Sequence, residues 1–397
     1  MWQSIKNVYH LFIAVFANMY FGFPSEKLTV IGVSGTDGKT TTVNMIYHIL
    51  KSAGKRVSMV STINAVVGGK LYDTGFHVSS PDPFTVQKFA RVAVDFGDEF
   101  LVLEVTSHAL DQYRFWGVNF DVGVITNITH DHLDYHKTWK NYFKTKAKLI
   151  RNVGTAVLNG DESHFDKLVA KTKGKVVSFG FSNEANFSPK KFPLKLKMLG
   201  EYNLLNALSA AAASQSLGIS SVVIKSVLRN FSNLKGRMEE VENNRGIKII
   251  VDFAATPNGL TQALKTLRKK TKGRLISVFG SAGKRDIEKR FLMGEISVRL
   301  ADVTIITAED PRGEWDSISK QMTDGAEKGA KNKHTFFVIE NRKEAVDFAI
   351  NKLAKAGDLI GFFGKGHEKS MNYDGKKEEP YDEVEEVRKA LREAGSE

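Results

Sequence analysis

The sequence predicts an α/β protein that contains two domains, each built around a mostly parallel β-sheet. Short apolar runs alternate with helical patterns in two successive series, and polar or glycine-rich clusters follow the ends of the apolar runs. The length of 397 residues suffices for two or three domains that each bury a core. Because ligands of such sheets bind at the carboxyl ends of the strands, the polar clusters are the candidate functional sites.

The first apolar run leads into a glycine-rich turn with the sequence Gly-Thr-Asp-Gly-Lys-Thr-Thr, and a helical pattern follows. Gly35 and Gly38 allow the backbone to approach an anion, and the N–H groups at the start of the helix can hold phosphate oxygens. Lys39 is expected to neutralise the terminal phosphates, and Thr40 to offer a hydroxyl ligand to Mg²⁺. Val33 stands where the full Walker spacing needs glycine, so this is a shorter variant of the loop. The alternative is an ordinary strand-to-helix turn.

Composition excludes several classes of protein. There is no cysteine, which rules out disulfides, zinc–thiolate sites and cysteine nucleophiles. The net charge of +12 favours anionic partners such as phosphates, nucleic acid or an anionic membrane surface. Since no nucleic-acid-binding motif and no basic run with interleaved aromatic residues is present, we do not expect nucleic acid to be a partner.

The first 27 residues form a short apolar segment that is predicted to be helical. Residues 8–23 are strongly apolar and aromatic. This stretch is too short to span a bilayer, which takes about 20 residues, and it lacks a small-residue cleavage site. The first interpretation is a helix packed on the next domain. The alternatives are a helix at a membrane interface, where aromatic residues suit the headgroup level, and a surface for a protein partner.

The first series of elements occupies residues 28–234. Its strands are rich in apolar and β-branched residues, and its helices include an Ala- and Ser-rich segment. Strands after the first are predicted at 56–64, 100–105, 120–126, 155–159 and 175–179, a hairpin at 68–73 and an antiparallel excursion at 187–199. Helices are predicted at 43–51, 84–96, 140–150, 202–217 and 220–230.

The second series occupies residues 235–397 and begins after a turn at 234–239, the candidate domain boundary. Strands are predicted at 247–253, 275–280, 303–307, 335–339 and 358–363, with helices at 259–269 and 383–394. A basic, glycine-containing loop is predicted at 281–290.

Carboxylate and imidazole groups gather near the strand ends of the first series, at Glu104, His130, Asp131, His132 and Asp134. Beside a phosphate loop, such groups suggest a Mg²⁺ site that holds ATP phosphates. Histidine is a less usual ligand of Mg²⁺ than oxygen, so the alternative for His132 is a hydrogen-bonded loop residue.

Several longer runs resemble the Mur ligase family, and within it the UDP-N-acetylmuramoyl-tripeptide synthetases. The first is the phosphate loop, the second is Glu-Val-Thr-Ser-His-Ala-Leu from Glu104, and the third is Asn-Ile-Thr-His-Asp-His-Leu-Asp-Tyr-His from Asn127. Later runs agree in the family's order, among them Gly-Arg-Met-Glu from Gly236, Asp-Pro-Arg from Asp310 and Gly-Lys-Gly-His-Glu from Gly364. Together these runs cover roughly residues 28–390.

The resemblance implies a central P-loop ATPase-like domain and a C-terminal Rossmann-like domain. It also implies an ATP-dependent ligase that phosphorylates a carboxylate and then joins the acyl phosphate to the amine of an amino acid. The implied cofactors are ATP and Mg²⁺, and the implied partners are an amino acid and a muramoyl-peptide or similar acceptor. The enzyme is expected to be a cytoplasmic monomer, with peripheral membrane contact through residues 8–23 as the alternative for its location.

The resemblance carries roles over to single positions. The catalytic positions are Lys39, Glu104, His132 and Lys146. The metal positions are Thr40, Glu104, His132 and Lys146, the last as a carbamate. The ATP-binding positions are Gly35, Thr36, Asp37, Gly38, Lys39, Thr40, Thr41, Asn127, Asn203, Asn206, Arg237 and Asp252. The substrate-binding positions are Ser79, Ser80, Ser107, Arg114, Arg285, Asp310, Arg312, Gly364 and Glu368.

Two departures from the family pattern leave the substrates open. Residues 1–27 stand where family members carry a whole domain that binds the uridine nucleotide, so the acceptor is UDP-linked, lipid-linked or a glutamyl compound. Asp310 replaces the asparagine usual in enzymes that add diaminopimelate, while Arg312 is retained. Arg312 favours a diamino acid with a distal carboxylate, and Asp310 favours a cationic amine such as that of lysine. A non-catalytic nucleotide-binding scaffold is the alternative from another class of protein.

Overall fold

A computed structural model describes residues 2–72, 80–129, 131–330 and 335–393. The chain divides into two compact units. The first contains Met1–Thr129 and His136–Ser232, and the second contains His130–Tyr135 and Asn233–Glu397. The short segment at 130–135 therefore belongs to the second unit, although its sequence neighbours on both sides belong to the first.

The first unit is built on an eight-stranded sheet in the order β4-β3-β2-β5-β1-β6-β7-β8. The strands are β1 Thr29–Ser34, β2 Val57–Val60, β3 Ala65–Val67, β4 Lys70–Tyr72, β5 Phe100–Glu104, β6 Val122–Ile125, β7 Thr155–Asn159 and β8 Lys175–Phe179. All neighbours are parallel except β2 with β3 and β3 with β4, which form the hairpin edge. The sheet confirms the predicted α/β class with mostly parallel strands.

Helices cover the sheet of the first unit. They are α1 Trp2–Phe21, α2 Lys39–Ser52, α3 Pro83–Phe96, α4 Ser107–Asp111, α5 Leu133–His136, which continues from the second unit into the first, α6 Trp139–Lys146, α7 Phe165–Val169, α8 Glu201–Ser216 and α9 Ser221–Asn230. Every residue of β5 is buried, which explains its unbroken apolar sequence, since parallel strands are covered on both faces. In the described ranges no helix combines the length and the apolar character that crossing a membrane requires.

One predicted element of the first unit is wrong. The antiparallel excursion at 187–199 contains no strand, and only Phe187 forms an isolated, parallel bridge to Phe179. Pro189 and Pro193 interrupt this stretch, and proline has no N–H to donate to a strand neighbour. The two prolines therefore explain why this stretch does not pair as a strand.

The second unit contains a six-stranded sheet in the order β13-β12-β11-β14-β10-β9. The strands are β9 Glu239–Glu240, β10 Lys248–Asp252, β11 Leu275–Phe279, β12 Val303–Ile306, β13 Thr335–Val338 and β14 Leu359–Phe363, and a separate pair consists of β15 Ser370–Met371 and β16 Glu379–Pro380. Only β9 runs antiparallel to its neighbour in the large sheet, so this unit has the predicted Rossmann-like character.

The helices of the second unit are α10 Pro257–Arg268, α11 Glu288–Leu300, α12 Trp315–Gly329, α13 Arg342–Asp347 and α14 Glu383–Glu393. The predicted basic loop at 281–290 is shorter than expected, because α11 already begins at Glu288. Lys289 and Arg290 are consequently buried on a helix and are not exposed in a loop.

A fully buried ion pair joins two helices of this unit. Arg342 at the start of α13 donates from Nε to Glu383 at the start of α14, at 2.7 Å. Its two remaining nitrogens donate to the carbonyls of Ala308 and Phe363, which follow or end strands β12 and β14. One guanidinium thus connects two helix starts with two strand ends.

We expect Arg342→Ala to lower the free energy of unfolding by about 3–5 kcal/mol, because the substitution leaves the Glu383 carboxylate buried without its cation. Urea unfolding followed by circular dichroism measures the change. Lys343→Ala is the matched control, since the neighbouring Lys343 pairs with Glu386 at the surface and exposed pairs contribute about 0–1 kcal/mol. Equal losses in the two variants would contradict this assignment.

Candidate active site

The phosphate loop of the first unit is held by two close backbone approaches. Gly35 has φ 152° and Gly38 has φ 83°, and a Cβ atom on Gly35 would lie 1.8 Å from Oγ1 of Thr126. A Cβ atom on Gly38 would lie 2.2 Å from Oδ1 of Asn206 in α8. Only glycine therefore fits at these two positions, where the sequence predicts room for an anion and the structure shows close contacts with Thr126 and Asn206.

Hydrogen bonds from the next strand end fix the shape of the loop. The N–H of Thr36 donates to the carbonyl of Asn127, at 3.0 Å, and the N–H of Asp37 donates to Oδ1 of Asn127, at 2.9 Å. Oγ1 of Thr36 lies 3.0 Å from the hydroxyl of Tyr142. Asn127, a predicted ATP-binding residue, thus orients the loop backbone in this structure.

Two lysine side chains converge on the same carbonyl of the loop. Nζ of Lys39 donates to the carbonyls of Gly35 and Thr36, at 3.0 and 2.7 Å. Nζ of the buried Lys146 donates to the carbonyl of Gly35, at 2.6 Å, and lies 4.8 Å from the ring centre of Tyr142. Both side-chain nitrogens therefore lie beside the loop that is expected to meet phosphate, where the charge of Lys39 would stabilise negative charge.

Thr40 and Glu104 form the second part of this site. Oγ1 of Thr40 donates to Oε2 of Glu104, at 2.9 Å, and the N–H of Thr62 donates to the same oxygen, at 2.9 Å. Both side chains are buried. A hydroxyl and a carboxylate that meet at the first turn of α2 are oxygen donors of the kind that Mg²⁺ accepts, so these two residues fit the predicted metal.

Asn203 and Asn206 lie three residues apart on α8, beside the phosphate loop. Nδ2 of Asn206 donates to Oδ1 of Asn203, at 3.3 Å, and Nδ2 of Asn203 donates to the carbonyl of Leu199, at 2.7 Å. Both asparagines are buried, and their role toward the adenine stays a prediction.

The predicted acceptor residues of the first unit lie beyond β5. Oγ of Ser80 donates to the carbonyl of Glu104, at 3.1 Å, and Arg114 donates from Nη1 to the carbonyl of Ser80, at 2.9 Å. Ser107 begins α4, and its buried hydroxyl has no hydrogen-bond partner among the residues that the structure describes. Ser79 lies outside the described residues.

His132 is the one predicted metal ligand that belongs to the second unit. It has φ 57°, and its Nε2 lies 3.2 Å from Oδ2 of Asp131. The N–H of Leu133 donates to Asp286, at 3.3 Å, and burial together with Asp286 and Asp131 raises the pKa of Asp134. The predicted metal set is thus divided between the units, and within the described ranges no cluster of three acidic or histidine residues forms a metal site by itself.

Arg237 and Asp252, the predicted ATP-binding residues of the second unit, have structural partners. Asp252 accepts from the N–H of Met238, at 2.7 Å, and from the N–H of Ala254, at 2.9 Å. The guanidinium of Arg237 lies 4.4 Å from the ring centre of Phe253. Asp252 therefore orders the turn that carries Arg237.

A second cluster gathers at the strand ends of the Rossmann-like unit. Asp310 follows β12, and its Oδ1 accepts from Nζ of Lys365, at 3.0 Å. Lys365 also contacts Glu368, at 2.6 Å, while Nη2 of Arg312 lies 3.6 Å from Oδ2 of Asp310. Four charged groups of alternating sign thus lie together where the amino acid is predicted to bind, and Arg285 lies near enough to Asp134 to act on its pKa.

Sequence reasoning did not select Lys365 and Glu309 as site residues. Lys365 is fully buried between Asp310 and Glu368, although its motif was noted. Glu309 is buried under the cluster, and in the described structure its Oε2 has no hydrogen-bond partner. A Cβ atom on Gly364 would lie 2.0 Å from this oxygen, so Gly364 provides the space for the Glu309 carboxyl. Their sequence position after strand ends was the only available signal.

Comparison with known families and sequences gives consistent matches. The model of the Mur ligase middle domain matches residues 33–214, and that of the Mur ligase glutamate ligase domain matches residues 236–366. A ligase from Clostridium botulinum named UDP-N-acetylmuramoyl-L-alanyl-D-glutamate–2,6-diaminopimelate ligase is 36% identical over 90% of this chain and 76% of its own length. A ligase of the same name from Aquifex aeolicus is 34% identical over 94% of this chain and 80% of its own length.

Solved structures agree in fold. A structure of a UDP-N-acetylmuramoyl-L-alanyl-D-glutamate–2,6-diaminopimelate ligase is 28% identical, with a TM-score of 0.61 over 93% of this chain and 79% of that chain. The MurF ligase from Thermotoga maritima in complex with ADP is 18% identical, with a TM-score of 0.68 over 95% of this chain and 84% of that chain, and shows the fold alone.

We expect Glu104→Gln to reduce phosphate release from ATP by more than about 100-fold, because it removes the charge that faces the metal and retains an oxygen for the N–H of Thr62. Steady-state phosphate release at saturating Mg²⁺ measures the effect. An unchanged thermal unfolding midpoint shows that the variant is folded. Ser61→Ala, a substitution of a neighbouring side chain that bonds only to Asn64, is the control. Full activity of Glu104→Gln would remove this residue from the site.

Glu309 is expected to make stability depend on pH. Burial raises the pKa of Glu309 from 4.5 to about 8, against the opposing charges of Lys289 and Arg342. Between about pH 4.5 and 8 the unfolded chain loses this proton while the folded chain keeps it, so the free energy of unfolding falls as pH rises. Glu309→Gln removes this dependence. Urea unfolding measures the free energy of unfolding at pH 5 and at pH 8. Between these values the free energy of unfolding of the variant should rise by on the order of a few kcal/mol relative to that of the wild type.

The exposed Glu344 on α13 supplies the control for this series. Glu344→Gln should follow the wild-type pH profile. If Glu309→Gln also follows it, the Glu309 carboxyl is ionised in the folded protein over the whole range.

Proposed function

The chain belongs to the Mur ligase family of ATP-dependent amide-bond-forming ligases, and we propose that it adds a diamino acid to the carboxylate of a muramoyl dipeptide in cell-wall synthesis. The relatives that carry this name span the chain almost completely, and the chain in turn covers about three quarters of their length. The observation that carries the proposal is the phosphate loop with Lys39 and Lys146 on one carbonyl and the Thr40–Glu104 pair beside it.

The proposed reaction has two steps. A carboxylate oxygen of the acceptor attacks the γ-phosphorus of ATP, the bond between this phosphorus and the bridging oxygen breaks, and ADP leaves with the electron pair. The amine of the incoming amino acid then attacks the acyl carbon, the amide bond forms, and phosphate leaves with the electron pair as the amine loses a proton. Phosphorylation is needed because a free carboxylate is a poor acyl donor.

Residues of the chain supply the positive charge for the first step. The loop N–H groups and Lys39 bind the phosphates and stabilise the charge that develops on the γ-phosphoryl group. Thr40 and Glu104 would hold Mg²⁺, which when bound supplies further charge neutralisation between the phosphate oxygens. We also propose that Asn203 and Asn206 act on the adenine side and that Arg237 contacts the nucleotide from its own unit.

Lys146 is proposed to act as a carbamate. Its Nζ is buried and donates to the carbonyl of Gly35. A carbamate retains one N–H on this nitrogen, so the hydrogen bond to Gly35 can persist while two new oxygens become available to a cation. These oxygens would serve the second metal position that the family resemblance implies, and we propose His132 of the second unit as a metal ligand as well.

We propose meso-diaminopimelate as the amino acid. Arg312 can bind a distal carboxylate and Glu368 a second amine, and the relatives are named as diaminopimelate ligases. Asp310 does not by itself call for a cationic substrate, because its charge is already opposed by Lys365 at 3.0 Å and Arg312 at 3.6 Å. Arg285 and Gly364 complete the proposed amino-acid site, and Ser80, Ser107 and Arg114 the acceptor site.

The proposed reaction takes place in the cytoplasm, where ATP is supplied, and the enzyme is proposed to act as a monomer. Peripheral membrane contact through residues 8–23 is decided by measurements other than those of the ligase reaction.

Phosphate release tests this function. The enzyme is given ATP, Mg²⁺ and UDP-linked muramoyl dipeptide, together with meso-diaminopimelate, L-lysine, ornithine or alanine. We expect turnover with meso-diaminopimelate, and an increase in its KM of at least about 10-fold in Arg312→Ala, since the distal carboxylate loses its cation. Arg268→Ala, which removes an exposed arginine that pairs with Asp302, is the matched control.

Each alternative outcome has its own meaning. Turnover with L-lysine alone would replace the proposed amino acid. Turnover only with a lipid-linked or glutamyl acceptor would retain the ligase chemistry and change the acceptor. If the protein binds ATP but no amino acid stimulates phosphate release under any condition, the protein is a non-catalytic nucleotide-binding scaffold.

A further inference from the structure

Helix α1 turns its small and polar residues toward its own unit. Ala14, Ala17 and Asn18 are buried, and Nδ2 of Asn18 donates to the carbonyl of Trp116, at 2.7 Å. Near the other end, Nδ2 of Asn7 donates to Asp111, at 3.0 Å. The inner face of α1 therefore combines hydrogen-bonded asparagines and small side chains with half-buried apolar residues such as Leu11 and Val15.

The outer face of α1 is apolar and aromatic. Its members, each at least half exposed, are Val8, Tyr9, Phe12, Phe16, Met19 and Tyr20. Phe12 is 71% exposed and Met19 is 68% exposed. At about 100° per residue these six side chains lie within an arc of about 120°, and residues 7–25 contain no charged side chain at neutral pH. We call this set the outer face.

The outer face is large for a soluble protein. Aromatic side chains bury about 150–250 Å² each when they are covered, so the six residues offer on the order of 700 Å² of apolar surface. The largest apolar patch on a typical monomer is about 300–600 Å², and larger patches mark interaction sites. Exposed Phe84 at the start of α3 extends the face, since its ring packs edge-to-face against Phe21.

We propose that the outer face of α1 docks the enzyme on an anionic lipid surface, with the helix lying in the plane of the interface. The width of the face favours this occupant. If a second copy packed through the same helix, the helix–helix contact would cover only about two rows of side chains along α1, and the remaining rings would stay exposed. A fluid apolar layer covers the whole arc, and Tyr9 and Tyr20 at its margin can keep their hydroxyls at the headgroups.

Charge supports the same occupant. Helix α1 contains no acidic residue, Lys6 lies near its start and Lys27 follows its end, next to Glu26. The whole chain carries a net charge of +12. A cationic protein with lysines at both ends of an apolar helix is attracted to anionic headgroups before the rings insert.

Helix α1 lies beside the segment that carries Arg114, a predicted acceptor residue, since it bonds to residues 111 and 116. His10 on α1 has a pKa lowered by burial and by the charge of Arg114, and Arg114 in turn binds the carbonyl of Ser80. If the proposed function holds, docking through α1 would bring the predicted acceptor residues near the lipid surface, where a lipid-linked acceptor would be found.

Sedimentation with vesicles tests the docking. The full chain is mixed with vesicles of phosphatidylglycerol and phosphatidylcholine, or of phosphatidylcholine alone. We expect binding that is stronger with phosphatidylglycerol and that falls at least about 10-fold in Phe12→Asp/Phe16→Asp. Val222→Asp, which places the same charge at an exposed apolar position on α9, should bind like the wild type. Phe12→Ser/Phe16→Ser repeats the test if the aspartate variant fails to fold, as judged by its thermal unfolding midpoint.

Three results would overturn the proposal. The first is no vesicle binding by the wild type. The second is equal vesicle binding by the wild type and the folded double variant. The third is a wild type that is dimeric and does not bind vesicles, while the double variant is monomeric. The last would assign the face to a second copy of the chain. The readout is lipid binding, so failure of the ligase function leaves it unaffected, and the reverse also holds.

Discussion

The carbonyl of Gly35 is the point on which the candidate site of the first unit depends. Lys39 and Lys146 both donate to this oxygen, from the start of α2 and from the end of α6. The loop can present the carbonyl only because Gly35 and Gly38 have no Cβ atoms to meet Thr126 and Asn206. A backbone constraint thus collects two lysine nitrogens beside the N–H groups that are expected to receive phosphate, and the Thr40–Glu104 pair lies at the first turn of the same helix.

In the second unit, too, a glycine after a strand end makes room for a charged group. Gly364 provides the space for the buried Glu309 carboxyl, and Lys365, the next residue, neutralises Asp310 and Glu368. The cluster therefore rests on a buried carboxyl, whose pKa is raised by burial, and contains a buried lysine at its centre. In both units a glycine after a strand end lets charged groups gather at the carboxyl edge of a parallel sheet, where ligands of such sheets bind.

Helix α1 differs from the rest of the first unit in which of its side chains are buried. Asparagine side chains and alanines lie on the face of α1 that meets the unit, and Phe21 also packs against Phe84, while most of the aromatic residues remain outside. The first interpretation of residues 8–23 was a helix packed on the next domain. The structure shows a helix packed on its own unit, and its hydrogen bonds to Asp111 and Trp116 fix which face turns inward.

Local sequence patterns were enough to predict the α/β class, most strand and helix positions, the phosphate loop and the family, because these depend on local periodicity, on glycine at fixed places and on motif spacing. The antiparallel excursion predicted at 187–199 is wrong, since two prolines interrupt this stretch. Packing in three dimensions, by contrast, brings Lys146 and Lys39 to one oxygen, buries Lys365 and Glu309 at the second cluster, and turns the rings of α1 outward. Those facts depend on which distant residues become neighbours, and no local pattern encodes them.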